Sequence, residues 1–183
     1  MTQSIERSKV FVLGDSRTGT TSLHKFFRDA GYNSIHYFID EVNEIARARG
    51  AEGHDFESVK EFIENAGFNA FSDYPVRSYF RDLLAHYPTA HFILSTRKDV
   101  EAWAASMKRF FADREDVVSR LDYLKKVYLR INDEIRETYK DAENFIELCI
   151  DDDGDENSAK LREFLGAPSH VSLKQLNATV TKS

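Results

Sequence analysis

Hydrophobic and polar positions along the chain alternate between strand-like and helix-like patterns. Lys9–Leu13 (KVFVL) is an unbroken run rich in β-branched and aromatic residues, the length of one buried strand. Gly14 breaks it, and Asp15–Gly19 supplies small and polar residues suited to a tight loop. A helix follows from Thr20 to Ala30, with Leu23, Phe26 and Phe27 on one side and Gly31 just past its end. Tyr32–Phe38 alternates as a second strand, Asp40–Arg49 and Phe56–Asn65 read as short helices around the polar turn Gly50–His54, and Gly67–Phe71 is a short strand. Val76–His86 carries a helical stripe at Val76, Tyr79, Phe80, Leu83 and Leu84. His91–Thr96 (HFILST) is a further strand, after which Asp99 can cap a helix to about Phe111. The spacing of Val117, Leu121, Leu124, Tyr128, Ile131, Ile135 and Tyr139 predicts one long helix over Glu115–Tyr139. Asn144–Ile150 is the last strand, and Ser158–Leu165 a helix ended by Gly166. Strands alternating with helices predict an α/β fold of three layers, a mostly parallel sheet covered on both faces, with the site at the carboxyl ends of the strands.

The order strand, glycine-containing loop, helix builds an anion site at Gly14–Ser22. The first helical turn leaves backbone N–H groups unpaired, and the helix dipole adds partial positive charge. Ser16 and the hydroxyls of Thr18, Thr20, Thr21 and Ser22 add donors around Gly19, and Arg17 adds a cation. The plain alternative is an ordinary strand-to-helix turn with Arg17 as a solvated loop charge. The loop departs from the nucleotide-hydrolase pattern G-x-x-x-x-G-K-[ST], because Gly14 and Gly19 are followed by Thr20-Thr21 and no Lys. The strand His91–Thr96 runs into Arg97, not into an Asp that would hold Mg²⁺. Arg against the anion, without a metal carboxylate, suits a transferred group of lower charge than phosphoryl.

At 183 residues, with no repeat or linker, the chain is expected to form one domain over residues 1–183. Its formal net charge of −6 argues against a nucleic-acid partner, so an anionic cofactor must be held locally by Arg and backbone N–H. Cys149 has no partner for an internal disulfide and sits in an apolar run, where a buried thiol is expected. No stretch has membrane-span length and MTQSIERSK lacks a signal-peptide core, so a cytoplasmic location is expected. The acidic run Asp151–Glu156 lacks the ligand alternation of a calcium loop and reads as a solvated turn ahead of a helix. The histidines show no metal-ligand spacing, and no metal is expected.

Three blocks together carry a family resemblance. Ser16-Arg17-Thr18-Gly19-Thr20-Thr21 is similar to the phosphosulfate loop P-[KR]-[ST]-G-T-[ST] of sulfotransferases that use 3′-phosphoadenosine 5′-phosphosulfate (PAPS), with Ser16 in place of proline. Asp73-Tyr74-Pro75, Tyr87-Pro88, Phe92–Arg97, Trp103 and Ser106 resemble the D-x-P…YP-x-A-x-F-I-L-x-x-R…W-x-x-S block of the branch whose loop reads PRTGTTSL. Glu147 to Asn177 resembles that branch's closing strand, acidic turn, "FLG" helix and terminal "LN". The resemblance covers nearly the whole chain in order. It implies a P-loop-type sandwich that transfers a sulfuryl group from PAPS to a hydroxyl or amine of a small-molecule or glycan acceptor and releases adenosine 3′,5′-bisphosphate, without a metal.

The same resemblance assigns Arg97 and Ser106 to the cofactor's 3′-phosphate, for which a guanidinium fork and a hydroxyl are suited. The two stand one residue further apart than is usual in the family, so Lys98 is absorbed in the turn or Ser95 or Lys98 shares the contact. Trp103, on the helical face of Ser106, reads as core or pocket wall. Sulfuryl transfer also needs a group to take the acceptor's proton. Asp73 in the D-x-P motif is one candidate, and equally a cap for the helix at Val76. His36, at the end of the second strand, is the other. Asp40–Asn69 is expected to line the acceptor side. The competing readings are a small P-loop kinase of a nucleoside or metabolite, and a catalytically silent nucleotide-binding protein.

Overall fold

Val10 and Val12 turn to one side of the first strand, Phe11 and Leu13 to the other, and each pair meets its own layer of helices. This is why the run is apolar throughout: a central parallel strand is buried on both faces. The computed structural model describes residues 8–174. Its sheet comprises β1 (Val10–Val12), β2 (Ser34–His36), β3 (Ala70–Ser72), β4 (His91–Thr96) and β5 (Phe145–Cys149). All pairings are parallel, in the order β2-β3-β1-β4-β5. The eight helices among the described residues are α1 (Thr20–Asp29), α2 (Ile39–Ala48), α3 (Phe56–Asn65), α4 (Phe80–His86), α5 (Val100–Phe110), α6 (Glu115–Val118), α7 (Leu121–Tyr139) and α8 (Gly154–Leu165). The expected three-layer α/β arrangement is what forms.

One layer packs Leu23, Phe26 and Phe27 of α1 and Leu161 of α8 on Val10, Val12, Ala70, Ile93 and Leu148. The opposite layer packs residues of α2, α3, α4 and α7, among them Val42, Val59, Leu83, Ile135 and Tyr139, on Phe11, Phe71, Phe92 and Leu94. A third cluster, Trp103, Ala104, Met107 and Tyr128, joins α5 to α7. Burial of one such aliphatic or aromatic side chain contributes about 1.5–3 kcal/mol.

Two expected helices are interrupted. Val76–His86 divides into a 3₁₀ turn at Val76–Tyr79 and then α4. Arg77 is buried in that turn, and its guanidinium donates to the Leu13 carbonyl and to Asn132 Oδ1, each at 2.9 Å. The long stretch Glu115–Tyr139 breaks at Ser119–Arg120 into α6 and α7. Val117, Leu121 and Leu124 pack toward Trp103, whereas Ile135 and Tyr139 pack on the sheet. One apolar stripe serves two partners, which spacing alone does not reveal. Helix α8 begins earlier than expected because Asp153 caps it, accepting from the Asp155 and Glu156 amides. Gly166 ends it in the left-handed conformation, φ 59°. Cys149 is half-buried rather than buried. The expected terminal Leu176-Asn177 lies outside the described residues.

Candidate active site

Because every strand is parallel, all five carboxyl ends open on one edge, and chain order reverses on either side of β1, where a crevice must form. Gly14 leaves β1 there beside β4. A Cβ at Gly14 would fall 1.9 Å from Ser95 Oγ, so only glycine lets the two strands stay this close. Thr18 is fully buried, and its hydroxyl is spent inside the protein, donating to the Asp15 carbonyl at 2.6 Å and meeting Ser95 Oγ at 2.9 Å. Ser95 is thereby occupied as well. Gly19, at φ 84°, opens α1 with no side-chain cap and no acidic residue in the first turn. The helix N-terminus is left to backbone donors and an outside anion.

Arg17 stands in the left-handed region, φ 69°, where a side chain other than glycine's is strained. Its Nε donates to Ser106 Oγ at 3.2 Å, and its guanidinium lies 4.4 Å from the centre of the Phe110 ring. Burial, then the neighbouring Arg97 and Arg109 guanidiniums, lower its pKa. Cations crowded this way favour an anion among them. Arg97, from the end of β4, gives Nε and Nη2 to Asp151 at 2.8 and 2.7 Å, and its Nη1 lies 3.5 Å from the Arg17 carbonyl. The Lys98 amide also donates to Asp151, at 2.9 Å. Trp103, expected as core or pocket wall, is buried with Ala104, Met107 and Tyr128; its indole N–H donates to the Ser16 carbonyl at 3.0 Å and its ring stacks on Tyr128 at 4.5 Å.

Across α1's first turn lies a second cluster. Thr20 Oγ1 donates to Asp73 Oδ2 at 3.1 Å, His36 Nε2 sits 3.1 Å from Thr20 Oγ1, and His36 Nε2 and Asp73 Oδ2 are 3.3 Å apart. Thr21 Oγ1 is 3.4 Å from His36 Nε2. For both Thr20 contacts to be hydrogen bonds, its one proton goes to the carboxylate and its oxygen accepts from Nε2–H. Asp73 is also at positive φ, 68°, and its Oδ1 accepts the Tyr74 amide at 2.8 Å. The side-chain cap expected for the Val76 turn is not made; the Asp73 backbone carbonyl takes the Val76 amide instead.

Between Asp73 and the loop opens a cleft of about 350 Å³, lined in part by Asp15, Tyr37, Tyr74, Arg77 and Ile131. Burial raises the Asp15 pKa against the opposing pull of Arg77, whose Nε is 3.6 Å from Asp15 Oδ2. The lining expected from Asp40–Asn69 is not there: α2 and α3 spend their apolar faces on the core, and the wall comes from Tyr37, Tyr74 and the 3₁₀ turn.

So the structure brings Ser16, Arg17, Arg97 and Ser106 to one side of the α1 N-terminus, and Thr20, Thr21, Asp73 and His36 to the other. Thr18 and Ser22 are buried. Asp151, Arg77 and the two tyrosines were missed. A signal existed for Arg77, a charge within an apolar stripe, and for Asp151, first in an acidic run after a strand.

A sulfotransferase domain matches residues 9–142, a stretch that holds every residue of both clusters except Asp151. The chain belongs to the sulfotransferase family. It is also 34% identical, over 111 residues, to "Ava biosynthesis cluster protein M" of Aspergillus versicolor, an alignment covering 55% of this chain and 42% of that protein. The chain thus spans less than half the length of this curated relative. Among the described residues no cluster of three or more His, Cys, Asp or Glu is placed to hold a metal, and no helix is long and apolar enough to cross a membrane.

Proposed function

We propose that the chain transfers a sulfuryl group from PAPS to a hydroxyl or amine of a small-molecule acceptor. The observation that carries this reading is the placement of both clusters on α1's first turn. Arg17 stands on one side, and Asp73 is hydrogen-bonded to Thr20 on the other. PAPS supplies an activated sulfuryl group on a phosphate leaving group. The residues present fit it: backbone N–H groups of Gly19–Ser22 would hold the 5′-phosphosulfate, and the Ser106 hydroxyl with the Arg97 guanidinium, whose Nε and Nη2 are held by Asp151, would hold the 3′-phosphate. Arg17 stabilises negative charge that develops on the bridging oxygen. Asp73, a residue lining the cleft, takes the acceptor's proton, while His36 donates Nε2–H to Thr20 and holds that cluster in place.

A mass-spectrometric screen of acceptors with PAPS tests the reading. The expected result is a sulfuryl mass gain that persists in EDTA and falls sharply in Arg17→Ala. Turnover that needs Mg²⁺ and ATP contradicts it.

A further inference from the structure

Arg97 and Asp151 leave neighbouring strands at the same edge of the sheet. β4 and β5 are parallel with Thr96 opposite Cys149, and the ladder continues one step beyond, where the Ile150 amide donates to the Thr96 carbonyl at 3.0 Å. The Cys149 carbonyl accepts from Asn157 Nδ2 at 2.8 Å, which ties the same turn to α8. Ile150 also packs on the anion loop: a Cβ at Gly19 would fall 2.8 Å from Ile150 Cγ2. The backbone that carries Asp151 is therefore fixed against both β4 and the start of α1.

Its carboxylate takes one edge of the Arg97 guanidinium, Oδ2 accepting from Nε at 2.8 Å and Oδ1 from Nη2 at 2.7 Å. Oδ2 accepts the Lys98 amide as well, at 2.9 Å. The two side chains are only 18% and 20% exposed. Burial raises the Asp151 pKa, but Arg97 and the Lys98 amide outweigh it and hold the carboxyl below its ordinary value, so it is ionised at neutral pH.

A guanidinium carries five N–H protons in one plane. Asp151 takes two, and the Arg17 carbonyl takes one from Nη1 at 3.5 Å. Among the described residues nothing takes the remaining two, one on Nη1 and one on Nη2. Ser106 Oγ accepts from Arg17 Nε at 3.2 Å, and its own proton is unspent among the described residues. A carboxylate beside a phosphate site would by charge alone weaken binding. Here that charge is already matched by Arg97, and its two hydrogen bonds order a long side chain before any ligand arrives.

We infer that Asp151 is the positioning residue of the 3′-phosphate contact: by holding one edge of Arg97 it keeps the unspent N–H groups in place for a phosphate monoester. This rests on the proposal that Arg97 meets the donor's 3′-phosphate.

Charge and positioning predict opposite signs for Asp151→Asn, which keeps an acceptor for the Lys98 amide and removes the negative charge. Calorimetry with adenosine 3′,5′-bisphosphate and AMP reads the sign. Positioning predicts bisphosphate binding about 2- to 12-fold weaker in Asp151→Asn, the range for ordering one rotamer-rich side chain, with AMP affinity unchanged. In an Arg97→Ala background the same substitution should have no further effect on the bisphosphate. Bisphosphate binding that is unchanged or tighter in Asp151→Asn overturns the inference alone, as does an equal loss for both nucleotides or a further loss in the Arg97→Ala background. A wild-type chain that binds the two nucleotides alike, or binds neither, overturns the 3′-phosphate reading and this inference with it. Nitrogen-15 spectra of the ligand-free protein supply a readout independent of nucleotide. Solvent exchange of the Arg97 Nε–H should be slow in the wild-type chain and faster in Asp151→Asn, and equal exchange in the two overturns the inference.

Discussion

Asp73 and His36 were rival candidates for one task, yet their side chains meet at 3.3 Å around a shared Thr20. Their substitutions should therefore couple. Asp73→Asn keeps the shape and removes the proton acceptor, so turnover should fall about 10²–10⁴-fold, the usual worth of a general base. Melting temperature and bisphosphate affinity should hardly move. His36→Gln should cost much less, and adding it to Asp73→Asn should cost less than the sum of the two. Steady-state turnover at saturating PAPS checks this, and the ranking is wrong if His36→Gln collapses while Asp73→Asn stays within a few-fold of wild type. At this scale the sequence was informative where a motif names the residue type, as for Arg17, Arg97 and Asp73. It did not reveal the contacts of His54 with Tyr74 or of Arg97 with Asp151, which join positions twenty and fifty-four apart along the chain.

Elements are positioned by a few cross-links that local pattern cannot show. The Trp103 indole on α5 fixes the loop after β1 through the Ser16 carbonyl. Trp103→Phe keeps most of the stacking on Tyr128 and leaves that carbonyl unpaired, a loss of about 1–3 kcal/mol. We expect a fall of several degrees in melting temperature together with weaker bisphosphate binding, checked by thermal unfolding and calorimetry. Unchanged affinity in a destabilised variant would assign Trp103 to the core alone. Strand and helix existence was legible from periodicity, as β4 and α3 show, with their observed bounds matching expectation. The breaks within Val76–His86 and Glu115–Tyr139 were not, because a buried Arg77 and a two-partner stripe caused them.

For the molecule as a whole, acid stability follows from Glu147 on β5. Arg136 of α7 donates to it at 2.7 and 2.9 Å, and this, opposed by burial, lowers its pKa below the ordinary 4.5. A carboxylate with a lowered folded pKa contributes stability above its unfolded value and loses it as pH falls through the folded one. Melting temperature should thus drop as pH falls below about 4.5, and Glu147→Gln should flatten part of that drop. An unchanged pH profile would remove the pair from the account. The central claim, that the common edge of five parallel strands is a PAPS site, has a more direct test. Calorimetry should find adenosine 3′,5′-bisphosphate bound far more tightly than AMP, and Arg97→Ala should abolish the difference. Equal affinity of the wild-type chain for the two nucleotides would contradict it.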